Sequence, residues 1–167
     1  MIITHDLAGA PRAFRMTIGA YFEIDRQAEG GVAAAFARFD DRSFTVHDLS
    51  VSVAALMVGA GMPAEQARSI RLRLSESELA AAICLAAIDA AASQEEDDEP
   101  AGKGEPLTQA GLYANAFALG IRPADVDKMT FAEFECCVKG WARMNGQEDE
   151  IEAPSAGELD DLVARYG

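Results

Sequence analysis

The sequence predicts a mainly α fold of the α+β kind: an N-terminal β-hairpin followed by a small helical bundle, an acidic linker and a short helical module. Three observations carry this reading. First, apolar residues recur at helical spacing behind helix-start motifs: Thr45-Val-His-Asp48, Ser75-Glu-Ser-Glu78 and Thr130-Phe-Ala-Glu133. In such a capping box the hydroxyl and the acid three residues on satisfy each other's backbone N–H groups. Second, strand-type alternation is confined to the first residues. Third, Gln94–Glu105 (QEEDDEPAGKGE) carries six acids, one lysine, Pro100, Gly102 and Gly104. It has too little apolar surface to offset the entropy of ordering, and reads as a self-repelling linker. The chain thereby divides into a hairpin-plus-helices domain, residues 1–93, the linker 94–105, and a small helical module, residues 106–167.

In chain order, Ile2–Leu7 and Arg12–Ile18 form the expected hairpin, with Ala8–Pro11 as its turn and Phe14, Met16 and Ile18 on one face. A helix is expected to start near Thr17–Ala20 and run to about Ala28, with Ala20, Tyr21, Ile24 and Ala28 inward and Gly30-Gly31 stopping it. Val32–Phe39 places Val32, Ala35, Phe36 and Phe39 on one side. The helix behind Thr45 runs to about Gly59 on Leu49, Val53, Leu56 and Met57. Pro63 sits in the first turn of a further helix, with Gln66, Ile70 and Leu74 near its end. The helix behind Ser75 has Leu79, Ile83, Ala86 or Ala87, and Ala90 at helical spacing. Leu85 and Ile88 widen that stripe and suggest a central position.

Beyond the linker, Leu107–Leu119 has Leu112, Ala116 and Leu119 on one face, beside Tyr113 and Phe117, and Gly120 stands where a helix exits. Pro123 restarts a short helix to Lys128. Thr130 opens Phe131–Met144, with Phe134, Val138 and Trp141 one turn apart and Asn145-Gly146 closing it. Gln147–Ala153 is acidic and reads as loose. A last helix carries Leu159, Leu162, Val163 and Tyr166.

The net charge is -14, and the sequence pI is near 4.4. It is distributed as -3 over residues 1–93, -5 over the linker and -6 over the remainder. Nucleic acid and anionic membrane surfaces are therefore excluded as expected partners, since both need clustered Lys and Arg. A helix-turn-helix around Leu107–Met144 fails on the same ground: its second helix sets Lys139 and Arg143 against Glu133 and Glu135. A partner with a basic surface remains open, beside simple solubility. Cys84, Cys136 and Cys137 are odd in number and lack CxxC spacing, which fits a reducing cytoplasm and no disulfide framework or zinc site. The N-terminus has no signal-peptide pattern, and no stretch approaches a membrane span.

No catalytic, cofactor or metal motif stands out. His5 falls in a strand and His47 at a helix start, without a ligand pattern. Asp40-Asp41 and Glu95–Glu99 lack the alternating ligands of a calcium loop. One of Cys136 and Cys137 is expected to face a core. Phe134 and Trp141 are core residues if their module can bury them, and interface anchors if it cannot. Composition and spacing stop at an acidic, mostly helical, non-enzymatic protein.

Both halves also resemble known families. Arg15-Met-Thr-Ile-Gly-Ala-Tyr-Phe-Glu-Ile24, then Val32–Phe39, Ala55-Leu-Met-Val-Gly-Ala-Gly61 and Ser77-Glu-Leu-Ala-Ala-Ala82 match, in order, the pattern of tail assembly chaperones of tailed phages and gene transfer agents. Leu119-Gly-Ile-Arg-Pro123-Ala-Asp-Val-Asp-Lys-Met129-Thr130-Phe-Ala-Glu133 resembles a second, short family of tail assembly chaperones. Gly120, Pro123, Met129, Thr130 and Glu133 are its fixed points. The departure is Val126-Asp127, where that family carries an aromatic pair. If the missing pair is a partner anchor, the resemblance implies a contact that is either weaker here or rebuilt around Phe131 or Trp141.

The combined resemblance implies a chaperone that keeps a tape-measure protein soluble through residues 1–93 and recruits tail tube protein through the second module, with self-association. It would act in the host cytoplasm and be absent from the mature particle. The expected partner surfaces are a groove at Phe36, Phe39, Leu56 and Leu79, and anchors at Phe131, Phe134 and Trp141. The competing reading is a non-catalytic helical adaptor or regulatory interaction protein of a prophage.

Overall fold

The fold, taken from a computed structural model, is described for residues 1–92 and 107–146. The expected linker, the acidic stretch after Gly146 and the last expected helix lie outside the described residues. The architecture is mainly α, with one two-stranded antiparallel hairpin at the N-terminus followed by helices.

β1 (Ile3–Leu7) pairs with β2 (Ala10–Phe14), Leu7 opposite Ala10 and Ile3 opposite Phe14. The turn is shorter than the sequence suggests. Ala8 (φ 52°) and Gly9 (φ 76°) make a two-residue, left-handed turn, the kind that matches strand twist. Pro11 lies within β2 opposite Asp6. A two-stranded hairpin has only edge strands, and there a missing N–H is tolerated. The second arm also ends early, because the Arg15 N–H turns to the Leu56 carbonyl (3.0 Å) and ties the chain to the helix below.

Thr17 caps α1 (Ile18–Gln27), its hydroxyl accepting from the Ala20 N–H. α1 buries two faces. Ala20 and Ile24 join the main core, while Ile18 and Phe22 point into a second cluster. A helix covered on two sides loses its simple amphipathic pattern, which is why Phe22 is absent from the expected face. Gly30, left-handed at φ 76°, leads into α2 (Gly31–Asp40), which buries Val32, Ala35 and Phe39.

α3 (Val46–Gly59) is the centre of the fold, packed by α1, β2, α4 (Ala64–Ser69) and α5 (Ser77–Ala92). The sequence suggests α5 for that place. α3 buries Leu49, Val51, Val53, Ala55, Leu56 and Met57, a set that covers most of its circumference. Its start is the expected capping box. The Thr45 N–H donates to the Asp48 carboxylate (2.9 Å), and the Asp48 N–H donates to the Thr45 hydroxyl (3.1 Å). Arg38 adds a fork onto both carboxylate oxygens, at 3.0 and 2.6 Å.

The Arg38 guanidinium, helped by the Thr45 donors and opposed by burial, holds the Asp48 carboxyl at about 2 against an ordinary 3.8. A depressed folded value means the stabilisation is complete above the unfolded value and is lost as pH falls through the folded one. Urea unfolding between pH 5 and pH 2 should therefore show stability declining below about pH 4. Asp48→Asn should flatten part of that decline and lower stability at neutral pH.

The expected Ser75–Glu78 box is not made. A single 3-10 turn, Leu74–Glu76, precedes α5, and Glu76 takes the role of acid. Its carboxylate accepts from the Arg73 N–H (2.8 Å) and the Ala8 N–H (2.9 Å), pinning the hairpin turn to the entrance of α5. Along α5, Ala80, Ala81, Ile83, Cys84 and Ala87 are buried and Ala86 is exposed, which resolves the alternative the periodicity left open.

The C-terminal unit is a helical corner: α6 (Gln109–Ala118), α7 (Pro123–Val126) and α8 (Phe131–Met144). Gly120 at φ 75° ends α6, and Pro123 occupies the first turn of α7. Thr130 and Glu133 form the expected box at α8. Leu112, Ala116, Val126 and Phe134 complete the second cluster with Ile18 and Phe22 of α1.

Candidate functional site

The corner between α7 and α8 sits on the N-terminal end of α1. The first N–H groups of any helix lack intrahelical acceptors. Here the Ile18 N–H donates to the Met129 carbonyl (2.8 Å) and the Gly19 N–H to the Asp127 carbonyl (3.0 Å). Gly19 is required by this approach, since a Cβ there would lie 2.8 Å from the Asp127 carbonyl oxygen. Arg15 pairs with the Glu133 carboxylate and donates to the Lys128 carbonyl (3.3 Å). Tyr21 meets Phe131 edge to face, ring centroids 5.2 Å apart. The Tyr113 hydroxyl donates to the Asp127 carboxylate (2.7 Å); burial first, and that bond second, raise its phenol above the ordinary value.

The motif residues thus shape one joint. Gly120 and Pro123 set the turns, Met129 offers its carbonyl to α1, and Thr130 and Glu133 cap α8. Val126 and Asp127, where the aromatic pair is missing, touch α1 directly: Val126 is fully buried in the shared cluster.

The expected partner residues divide. Phe39 (2% exposed) and Leu56 (0%) are core, and Phe36 and Leu79 lie half-buried against that same core. A groove through these four has no accessible floor, and a charged group at Phe39 or Leu56 would disrupt the fold itself. Phe134 is buried in the joint and Phe131 half-buried on Tyr21, so both serve the docking of the corner. Trp141 is different. It is 40% exposed and continues, with Val138 and the 88%-exposed Met144, an apolar stripe that runs along α8 past its seat.

An open cleft of about 580 Å³ lies between α1 and α3, with the corner as its third wall. Ala20, Ala54, Ala55 and Gly59 are among its small lining residues, while Asp127 and Lys128 come from the corner. The sequence did not single out this cleft. Gly19 and Gly59 fell inside quoted patterns, but their closeness to other backbones is a tertiary fact.

Residues 2–92 match the family described as phage tail tube protein, GTA-gp10. The chain belongs to this family. No curated protein matches it, and no solved structure does. The GTA-gp10 stretch contains the hairpin, α1 to α5, and with them Arg15, Gly19 and Gly59. The corner lies beyond the matched residues, so the joint brings together the GTA-gp10 stretch and the C-terminal unit.

Among the described residues, no cluster of His, Cys, Asp and Glu is arranged to hold a metal ion, and no helix is long and apolar enough to cross a membrane. His5 and His47 are exposed, and His47 Nε2 lies 3.0 Å from the Gln27 carbonyl oxygen. Cys136 is exposed and Cys137 half-buried, and neither belongs to the core cluster that takes Phe134, where the sequence expectation put one of the two. Cys84 is enclosed, and burial pushes its thiol up to about 12. A thiol reagent at pH 8 should titrate Cys136 and Cys137 quickly in the native protein and Cys84 only after denaturant is added.

Proposed function

We propose that this chain is a tail assembly chaperone that keeps the tape-measure protein soluble and recruits tail tube subunits through its C-terminal unit. It acts in the host cytoplasm, without catalysis, and with self-association as copies gather on one filament. The observation that carries this reading is the composite build. A stretch of the tail tube family is joined to a corner whose α8 extends Val138, Trp141 and Met144 into solvent. An exposed aromatic flanked by apolar neighbours on a helix is the anatomy of an interface anchor. The acidity of the chain supports the rest, because a coat of net charge -14 per copy makes loaded filaments repel one another.

A second reading takes the family description at its word: the chain is itself a component of the tail tube. The two differ in where the protein ends up. Tagged full-length chain, co-expressed with a tape-measure protein and a tail tube protein, should capture both, and purified particles should lack it. Trp141→Ala should weaken tube capture and leave tape-measure capture intact. Stoichiometric presence in finished particles would instead favour the tube reading. Capture of neither protein would sink the chaperone reading.

A further inference from the structure

The apolar stripe on α8 is bordered by no charge of its own helix. Val138, Trp141 and Met144 follow at three-residue steps, and Cys137, Gly140, Ala142 and Asn145 flank them. At about 100° per residue, Lys139 and Arg143 fall on the far side of α8. Gly140 is open as well, since a Cβ there meets nothing within 4 Å. Among the described residues nothing covers this outer end of the helix, where Trp141 is 40% exposed and Met144 88%. Apolar fit, and not charge, selects what can lie on it.

The chain carries a matching face of its own. Gly146, left-handed at φ 72°, turns the chain out of α8 just past Met144. In the sequence beyond it, Leu159, Leu162, Val163 and Tyr166 recur at the spacing of one helix face, with Asp160 and Asp161 off that face. An apolar face of this kind needs a counterpart to be buried against. The intervening residues 147–154 can reach up to about 26–29 Å when extended. Val138 to Met144 takes up only about 9 Å of α8. One chain therefore holds both faces together at an effective concentration on the order of millimolar. A second copy is a poorer occupant, because each copy brings a net charge of -14.

We propose that residues 159–166 lie across the Val138–Trp141–Met144 stripe of the same chain, and that a tail tube subunit must displace them to bind there. The cover is a property of this chain alone, while the displacement rests on the chaperone reading. A face that is covered part of the time has its apparent affinity reduced by the fraction uncovered. The cover thus keeps Trp141 from unrelated apolar surfaces, and a partner opens it only by fitting the stripe better than the chain's own segment does.

Trp141 is the single tryptophan of the chain, so tryptophan emission reads the stripe directly. Leu162→Asp places a charge in the covering face, and Asp161→Asn is the control off that face. In the full-length chain, Leu162→Asp should move the emission to the red and raise acrylamide quenching, at any protein concentration. Asp161→Asn should match the parent. With purified tail tube protein, Leu162→Asp should bind about 2- to 10-fold more tightly than the parent, as loss of a tethered competitor requires. Unchanged emission and quenching in Leu162→Asp overturns the cover. A parent emission that moves to the red on dilution overturns it too, and assigns the stripe to a second copy. Changed emission with unchanged tube affinity overturns the displacement and leaves the cover standing. Absence of tube binding by every chain overturns the displacement and the recruitment reading together, while the emission still decides the cover.

Discussion

Leu56→Ala is expected to destabilise the protein by about 2–5 kcal/mol, as truncation of an enclosed leucine does elsewhere. Leu56 is wholly buried on the central helix, and its carbonyl receives the Arg15 and Ala60 N–H groups, so the backbone around it is held on two sides. Little relaxation is available to refill the space. Against a typical total of about 5–15 kcal/mol, the loss is a large share. The check is urea denaturation: the midpoint should fall with the slope nearly unchanged. Leu79→Ala, at a half-buried position, should cost distinctly less. A charge placed at Leu56 that abolished partner binding would therefore report unfolding, and binding variants belong at Val58 or Trp141.

Gly59→Ala is expected to cost about 1–3 kcal/mol through overpacking. A Cβ on Gly59 would lie 2.3 Å from the Arg15 carbonyl oxygen and 3.2 Å from the Thr17 hydroxyl oxygen. The first neighbour is backbone, which cannot swing aside. The φ at Gly59 is not left-handed, so the glycine serves a close approach and not a turn. Helix propensity alone would favour alanine by about 1 kcal/mol. Gly140→Ala isolates that gain, and the difference in melting midpoint between the two variants measures the steric term.

What could be read in the sequence is what is local. α8 spans Phe131–Met144 as expected, and the Thr45–Asp48 and Thr130–Glu133 boxes form, because caps and apolar spacing act within a few residues. The Ser75–Glu78 box failed for a non-local reason: Glu76 finds the Ala8 N–H, far away in sequence. Phe39 and Leu56, placed in a groove by the sequence, are enclosed in the fold, because periodicity tells which face is apolar and not what covers it. Phe22 was missed because α1 is buried twice. The joint itself was hidden because its acceptors are the Asp127 and Met129 carbonyls, and a backbone oxygen leaves no mark in residue type.

The joint also imposes an order in time. Ile18 and Gly19 can donate to the corner only after Asp127 and Met129 have been synthesised. The matched family stretch is complete at residue 92, and Phe134 comes 42 residues later, the difference of 134 and 92. At about 5–20 residues per second, that interval lasts about 2–8 s. Throughout it, Ile18, Tyr21 and Phe22 on every nascent chain stand without the cover they later receive. A protein already waiting near the ribosome therefore meets α1 before the chain's own C-terminal unit exists, and vectorial synthesis gives the newcomer the first claim.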